Sequence, residues 1–103
     1  MSILEEVLEE EYIRATRLSR LMEAELATLP RGSVRVRRIR GREYYYLNHR
    51  EGKTVASDYI PASKVDSVRA KIARRKELET ALKEQRRSRR QIERALGRVP
   101  DVE

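Results

Sequence analysis

The chain has no cysteine, no tryptophan and no phenylalanine, and a single histidine. Without cysteine there is no disulfide framework and no thiolate for catalysis or metal binding, which fits a reducing, cytoplasmic setting. Without Phe or Trp, a core has to be assembled from Leu, Ile, Val, Ala and Tyr. No run approaches the ~20 apolar residues that a membrane span needs. The N-terminal region is acidic and lacks the continuous apolar centre of a secretory leader. Glycine and proline are also scarce, at four and three residues, so breaks between elements are few and easy to place.

Catalytic patterns are missing too. There is no Gly-rich phosphate loop, no His/Cys spacing for a metal and no serine-centred nucleophile motif. His49 stands alone at a hairpin end. Arg, His and Tyr together are the groups that phosphoryl-transfer recombinases use, but holding them in line takes a much larger catalytic domain. A non-enzyme with no cofactor is expected.

What the chain has is charge. Of its 103 residues 40% are charged, and the net charge is +7. At this length a single domain with a modest core is expected, and the excess of base favours anionic partners. Residues 1–30 hold 3 bases and 7 acids, residues 31–60 hold 8 and 3, and residues 61–103 hold 13 and 7. The middle segment is thus basic without an acidic segment of its own.

That middle segment reads as a sheet. Gly41 and Gly52 divide it into runs 33–40, 42–50 and 53–60, each rich in Val, Ile, Thr or Tyr. Glu51-Gly52 suits the second two-residue turn, and Arg40-Gly41 or Gly41-Arg42 the first. Either choice at the first hairpin leaves the faces unchanged, because the two differ by two residues and the side-chain period is two. With the second turn at Glu51-Gly52, Tyr44 falls opposite Tyr59, Tyr46 opposite Ser57 and Leu47 opposite Ala56. One face then collects Val34, Val36, Tyr45, Leu47 and Ala56, and should pack on a helix. The other collects Arg35, Arg37, Tyr44, Tyr46, Asn48, Val55, Ser57 and Tyr59.

The second face admits a plain reading, a solvated surface whose tyrosines pair across strands. It also has the guanidinium, amide and phenol groups of a surface that touches phosphates and base edges. The density of arginine favours the latter. Arg35, Arg37, Arg38, Arg40 and Arg42 fall close together along the chain, and such like charges repel unless a polyanion neutralises them. The candidate contacts are these five with Tyr44, Tyr46, Asn48, Lys53 and Ser57.

Flanking the sheet are two helices. Residues 2–29 carry Leu4, Leu8, Ala15, Leu18, Met22, Leu26 and Leu29 at three- and four-residue steps, with Ser2 placed to cap. Pro30 and Gly32 should end this helix. The second helix, 61–96, carries Val65, Val68, Ile72, Leu78, Leu82, Ile92 and Leu96, with Arg75, Gln85 and Arg89 as polar gaps. Pro61 suits its first turn, Ser63 with Asp66 makes a capping-box pattern, and Gly97 and Pro100 end it, leaving a frayed tail over 97–103. Acidic and basic blocks alternate along both helices as in the flanks of a coiled coil. An antiparallel pair with the sheet against one end is expected, with the Arg86 to Arg94 tract facing Glu5 to Glu11. The same stripes also suit a homodimer or a protein partner.

The architecture implied is α+β: a long N-terminal helix, a three-stranded antiparallel meander and a long C-terminal helix, the helices forming a coiled-coil-like pair. Within it, Leu29-Pro30-Arg31-Gly32-Ser33, Tyr44-Tyr45-Tyr46, Gly52-Lys53 and Tyr59-Ile60-Pro61 resemble a small uncharacterised family of bacteria, archaea and their mobile elements. The resemblance spans about residues 28–96 and leaves the first helix outside its core. Three strands followed by a helix are similar to the arm-site DNA-binding domains of tyrosine recombinases and to plant AP2-type domains, which lay the sheet in the major groove. This implies a DNA-binding accessory role with Arg35, Arg37, Tyr44, Tyr46, Asn48 and Ser57 on the groove side. RNA is a variant of that reading, because Tyr44, Tyr46 and Tyr59 could stack unpaired bases. The competing class is a protein–protein module, a coiled-coil adaptor or an inhibitor of a nucleic-acid-processing complex. Such mimics of nucleic acid are usually acidic, which the charge of this chain opposes.

Overall fold

A computed structural model describes residues 2–98 and has the α-β-β-β-α order expected. Helix α1 is Ile3–Leu26, strands β1, β2 and β3 are Ser33–Ile39, Arg42–Glu51 and Thr54–Ile60, and helix α2 is Val65–Ala95. The chain divides into two compact units, one made of residues 29–77 and the other of the stretches before and after it. The expected frayed tail lies, from residue 99 onward, outside the described residues. No described helix is long and apolar enough to cross a membrane.

In the unit of residues 29–77, β2 is the central strand of an antiparallel sheet ordered β1-β2-β3. Arg40-Gly41 makes the first turn, both residues at positive φ (53° and 79°), the backbone of a type I′ hairpin whose twist matches its strands. The second turn is Gly52-Lys53 rather than Glu51-Gly52, since Glu51 pairs with Thr54. Gly52 takes the first central position at φ +59°, the place and sign a type II′ turn asks of glycine. Tyr46 consequently faces Tyr59, Asn48 faces Ser57 and His49 faces Ala56. The slip from the expected pairing is two residues, so every side chain keeps its face.

The face bearing Val34, Val36, Tyr45, Leu47 and Ile60 packs toward the first half of α2. Ile60 and Val65 are buried there, and the Arg69 guanidinium lies 5.7 Å from the centre of the Tyr45 ring. Arg75 donates to the Leu29 carbonyl at 2.9 Å, tying the entry of the sheet to α2. Before α2, Ala62–Lys64 forms a 3-10 turn with Pro61 at its N-cap and no side-chain cap. Ser63 therefore sits inside this turn and does not build the capping box its spacing promised.

In the other unit α1 runs antiparallel to the second half of α2. Glu9 meets Arg98, the Tyr12 hydroxyl donates to Glu93 at 3.1 Å, and Glu23 meets Arg86 at 3.2 Å. The expected pairing of Arg86 with the first acidic block is therefore corrected: that block reaches Arg98, and Arg86 finds Glu23. On α1 the seam is Leu8, Tyr12, Ala15, Ser19, Met22 and Leu26, with Ala15 and Ser19 buried. Leu4 and Leu18, placed in the seam by leucine spacing, are exposed instead. Ser19 can lie there because its hydroxyl donates to the Ala15 carbonyl at 2.8 Å, so burial strands no donor. On α2 the seam holds Leu78 and Leu82, both buried, with Gln85, Arg89, Ile92 and Leu96 partly covered.

Both ends of α1 have local causes. The Ser2 side chain accepts the Glu5 amide at 3.2 Å, and Glu5 and Glu6 meet the positive end of the helix dipole. The helix closes at Leu26, short of residue 29. Thr28 returns both its amide and its hydroxyl to the Glu25 carbonyl, and the residue before Pro30 is steered away from helix. At the end of α2, Arg98 donates its amide to the Glu93 carbonyl and Gly97 to that of Arg94, the paired bonds of a Schellman motif.

Candidate nucleic-acid interface

The pleat decides which side chains share a face. β1 alternates arginine and valine at 34–37, and the pairing Arg35–Tyr46–Tyr59 and Arg37–Tyr44 carries that alternation across the sheet. The side away from α2 therefore holds Arg35, Arg37, Arg42 and Arg50 with Tyr44, Tyr46, Asn48, Ser57 and Tyr59. Among the described residues it holds no carboxylate. The three acids of the strands, Glu43, Glu51 and Asp58, all fall on the other side. On that side Glu43 meets Arg38 and Asp58 meets His49, partners within the sheet itself. The sheet thus keeps its carboxylates on the helix side and leaves the open side to guanidinium, amide, hydroxyl and phenol groups.

Charge also separates by unit. Residues 29–77 hold 14 bases against 5 acids, or +9, and the remainder 10 against 12, or −2. More than the whole excess of the chain is gathered in the unit with the sheet.

On the open face the side chains are ordered without being neutralised. The Arg37 guanidinium lies 5.3 Å from the Tyr46 ring centre, and the Tyr46 and Tyr59 rings meet edge to face at 5.9 Å. The Ser57 hydroxyl donates to Asn48 Oδ1 at 2.5 Å. That bond fixes the Asn48 amide with its NH2 group turned to its remaining neighbours, the end that can donate to a phosphate or a base acceptor.

Not every expected contact belongs to this face. Arg38 lies on the helix side, where its guanidinium donates to Glu43 at 3.1 Å. Bonding to Arg38, and then to the Tyr45 hydroxyl, holds the Glu43 carboxyl below its ordinary range, and the same contact with Glu43 pushes the Tyr45 phenol up. Arg38 already has its carboxylate. Arg40 and Lys53 are turn residues at opposite ends of the sheet. Seven of the ten, Arg35, Arg37, Arg42, Tyr44, Tyr46, Asn48 and Ser57, share the open face.

Two arginines were missed. A shallow concavity of about 400 Å³ at the start of β1 is lined by Arg31, Ser33, Arg35, Asn48, Arg50 and Val55. Arg50 was legible, since it continues the even-numbered face of β2 through 44, 46 and 48. Arg31 precedes the strand and had no such signal. Its position follows from Gly32, where the chain crosses close over β2 at φ +121°. A Cβ there would stand 2.2 Å from the Asn48 carbonyl oxygen, so only glycine lets Arg31 approach this side.

His49 Nε2 lies 2.7 Å from Asp58 Oδ2, a cross-strand pair on the helix side. Among the described residues no cluster of His, Asp or Glu is arranged to hold a metal.

Compared with known proteins, the chain matches over residues 4–70 the model of a domain of unknown function, DUF6788. The matched stretch takes in α1, the whole sheet and the first turns of α2. No curated protein and no solved structure matches it.

Proposed function

We propose that this chain, which belongs to the DUF6788 family, is a non-enzymatic nucleic-acid-binding protein that meets duplex DNA with the open face of its sheet. The observation that carries the reading is the sorting of charge across the pleat, four arginines outward and all three strand carboxylates inward. A surface built only to stay in solution has no need of that sorting, because mixed signs solvate as well and repel less.

The dimensions fit. Three strands at ~4.8 Å spacing are about 10 Å wide across the backbone, close to the ~12 Å width of the major groove. Arg35, Arg37, Arg42 and Arg50 supply the sequence-independent attraction to phosphates, and Arg31 adds to it at the concavity. The Asn48 amide and the tyrosine hydroxyls are the groups able to read base edges. In this reading the likeness to arm-site domains of recombinases is one of geometry, a sheet presenting its face to a groove, and the role is that of an accessory protein of a mobile element or a bacterial genome.

Fluorescence anisotropy with a labelled random-sequence duplex tests the proposal. Binding at low salt that weakens steeply with added salt is expected, with duplex DNA outcompeting structured RNA. No binding to any duplex at low salt refutes it. Stronger competition by RNA moves the same face to stacking on unpaired bases through Tyr44, Tyr46 and Tyr59.

A further inference from the structure

We propose that α1 carries a second seam, and that a second copy of this chain occupies it in an antiparallel, two-fold symmetric pairing. The seam is formed by Leu4, Val7, Glu11, Arg14, Leu18 and Leu21. Its four apolar members are exposed to 67%, 49%, 37% and 64%, although each is a residue that ordinarily seeks cover. Their steps alternate three and four residues, the spacing of a coiled-coil contact. At 100° per residue this stripe lies about 90° around the helix from the seam that meets α2. That is the relation between the two contact faces of one helix in a four-helix bundle.

The order of residues names the occupant. Read from either end the stripe is apolar, apolar, charged, charged, apolar, apolar. Leu4 and Leu21, Val7 and Leu18, and Glu11 and Arg14 all have numbers that total 25. Laid antiparallel on a copy of itself, each leucine or valine meets an apolar partner and each Glu11 meets an Arg14. Laid parallel, Glu11 meets Glu11 and Arg14 meets Arg14. On one flank of the stripe Glu6 and Glu10 share a side with Arg17, and an antiparallel copy brings Arg17 against them. An isologous contact needs this self-complementarity. Within one chain Glu11 and Arg14 are already 3.2 Å apart, so the pair is poised to become one corner of a four-charge cluster.

The inner seam gives the reason for a second layer. Among the described residues its buried apolar members are only Ala15, Leu78 and Leu82, with Ser19 and Glu93 buried among them. One layer of two helices with so thin a contact is a poor core, and stable helical folds close a second layer over the first. The proposal rests on α1 alone and is independent of what the sheet binds.

Sedimentation equilibrium on the full chain tests it first. A mass twice the 12.1 kDa of one chain is expected. Glu11→Arg should weaken the dimer roughly tenfold by setting like charges opposite each other, and adding Arg14→Glu to the same chain should restore it. Circular dichroism of each variant checks that the helices persist. Orientation is read from disulfides, which the native chain cannot form. A mixture of Leu4→Cys and Leu21→Cys chains should form the mixed disulfide in preference to either homodisulfide. A monomer at every concentration, as when another protein is the true occupant, overturns the proposal. So does a dimer indifferent to the charge reversal, or one that prefers homodisulfides.

Discussion

Replacing Arg35 and Arg37 together by alanine removes half of the four guanidinium groups that the strands present to the open side. If each neutralises one phosphate, the native protein should show a slope of about −3.6 in log affinity against log salt, at about −0.9 per phosphate. Between ~50 and ~200 mM salt that slope predicts a loss of roughly 150-fold in affinity. The double variant should fall to a slope of about −1.8 and lose only roughly 12-fold over the same range. Arg38→Ala is the internal control. Its guanidinium lies on the opposite side of the sheet and already donates to Glu43, so its removal should leave the slope unchanged within error. Anisotropy titrations of one labelled duplex at four or five salt concentrations give all three slopes. If Arg38→Ala flattens the slope as much as the double variant does, the charge count matters and the face does not. The reasoning from the pleat is then refuted.

Four further expectations follow from individual residues. Arg38→Ala should raise the Glu43 pKa toward its ordinary value, measured from side-chain carboxyl shifts by NMR; because the folded value is depressed, this contact stabilises above the ordinary range and is lost as pH falls through the folded one. The Tyr45 phenol has the opposite sign: its folded pKa is raised, so its contribution is complete below about pH 10 and disappears as pH rises through the folded value. Gly32→Ala sets a methyl against the Asn48 carbonyl at a φ that alanine rarely adopts, and should cost at least about 1–3 kcal/mol in urea unfolding. Leu82→Ala empties a buried position in the inner seam and should cost about 2–5 kcal/mol, with loss of helical signal at lower denaturant.

The sheet was legible from sequence because its signal is local and has period two. Val34, Arg35, Val36 and Arg37 alternate without interruption, and the glycine turns leave little freedom in the number of strands. The second turn was misplaced by one residue, since Glu51-Gly52 and Gly52-Lys53 both contain the glycine that the turn requires. The error did no harm to the faces, because moving a two-residue turn by one shifts the pairing by two. Helix α1 was harder. It bears two apolar stripes about a quarter-turn apart, and leucine spacing alone blends them, so Leu4 and Leu18 were credited to the seam that Tyr12 and Ser19 occupy. A serine in a seam announces itself only through its bond to the Ala15 carbonyl, which no pattern of hydrophobicity contains. Arg38 was grouped with its neighbours by proximity along the chain, although an even number in β1 already put it on the far side. Arg31 depended on a close crossing of two backbone segments, which is a property of three dimensions.

β1 is an outermost strand, so one row of its amides and carbonyls has no strand beside it. Such a border invites another strand to add itself, and proteins commonly guard it with charge. Here the guard is Arg35, Arg37 and Arg40, and it works by mutual repulsion between molecules. Its strength therefore varies with the surroundings. On the proposed function, a polyanion laid along the sheet would cancel the repulsion at the same moment that it crowds neighbouring copies together, so clustering on nucleic acid, and precipitation at stoichiometric ratios, are expected from the same three side chains that guard the edge of the free protein.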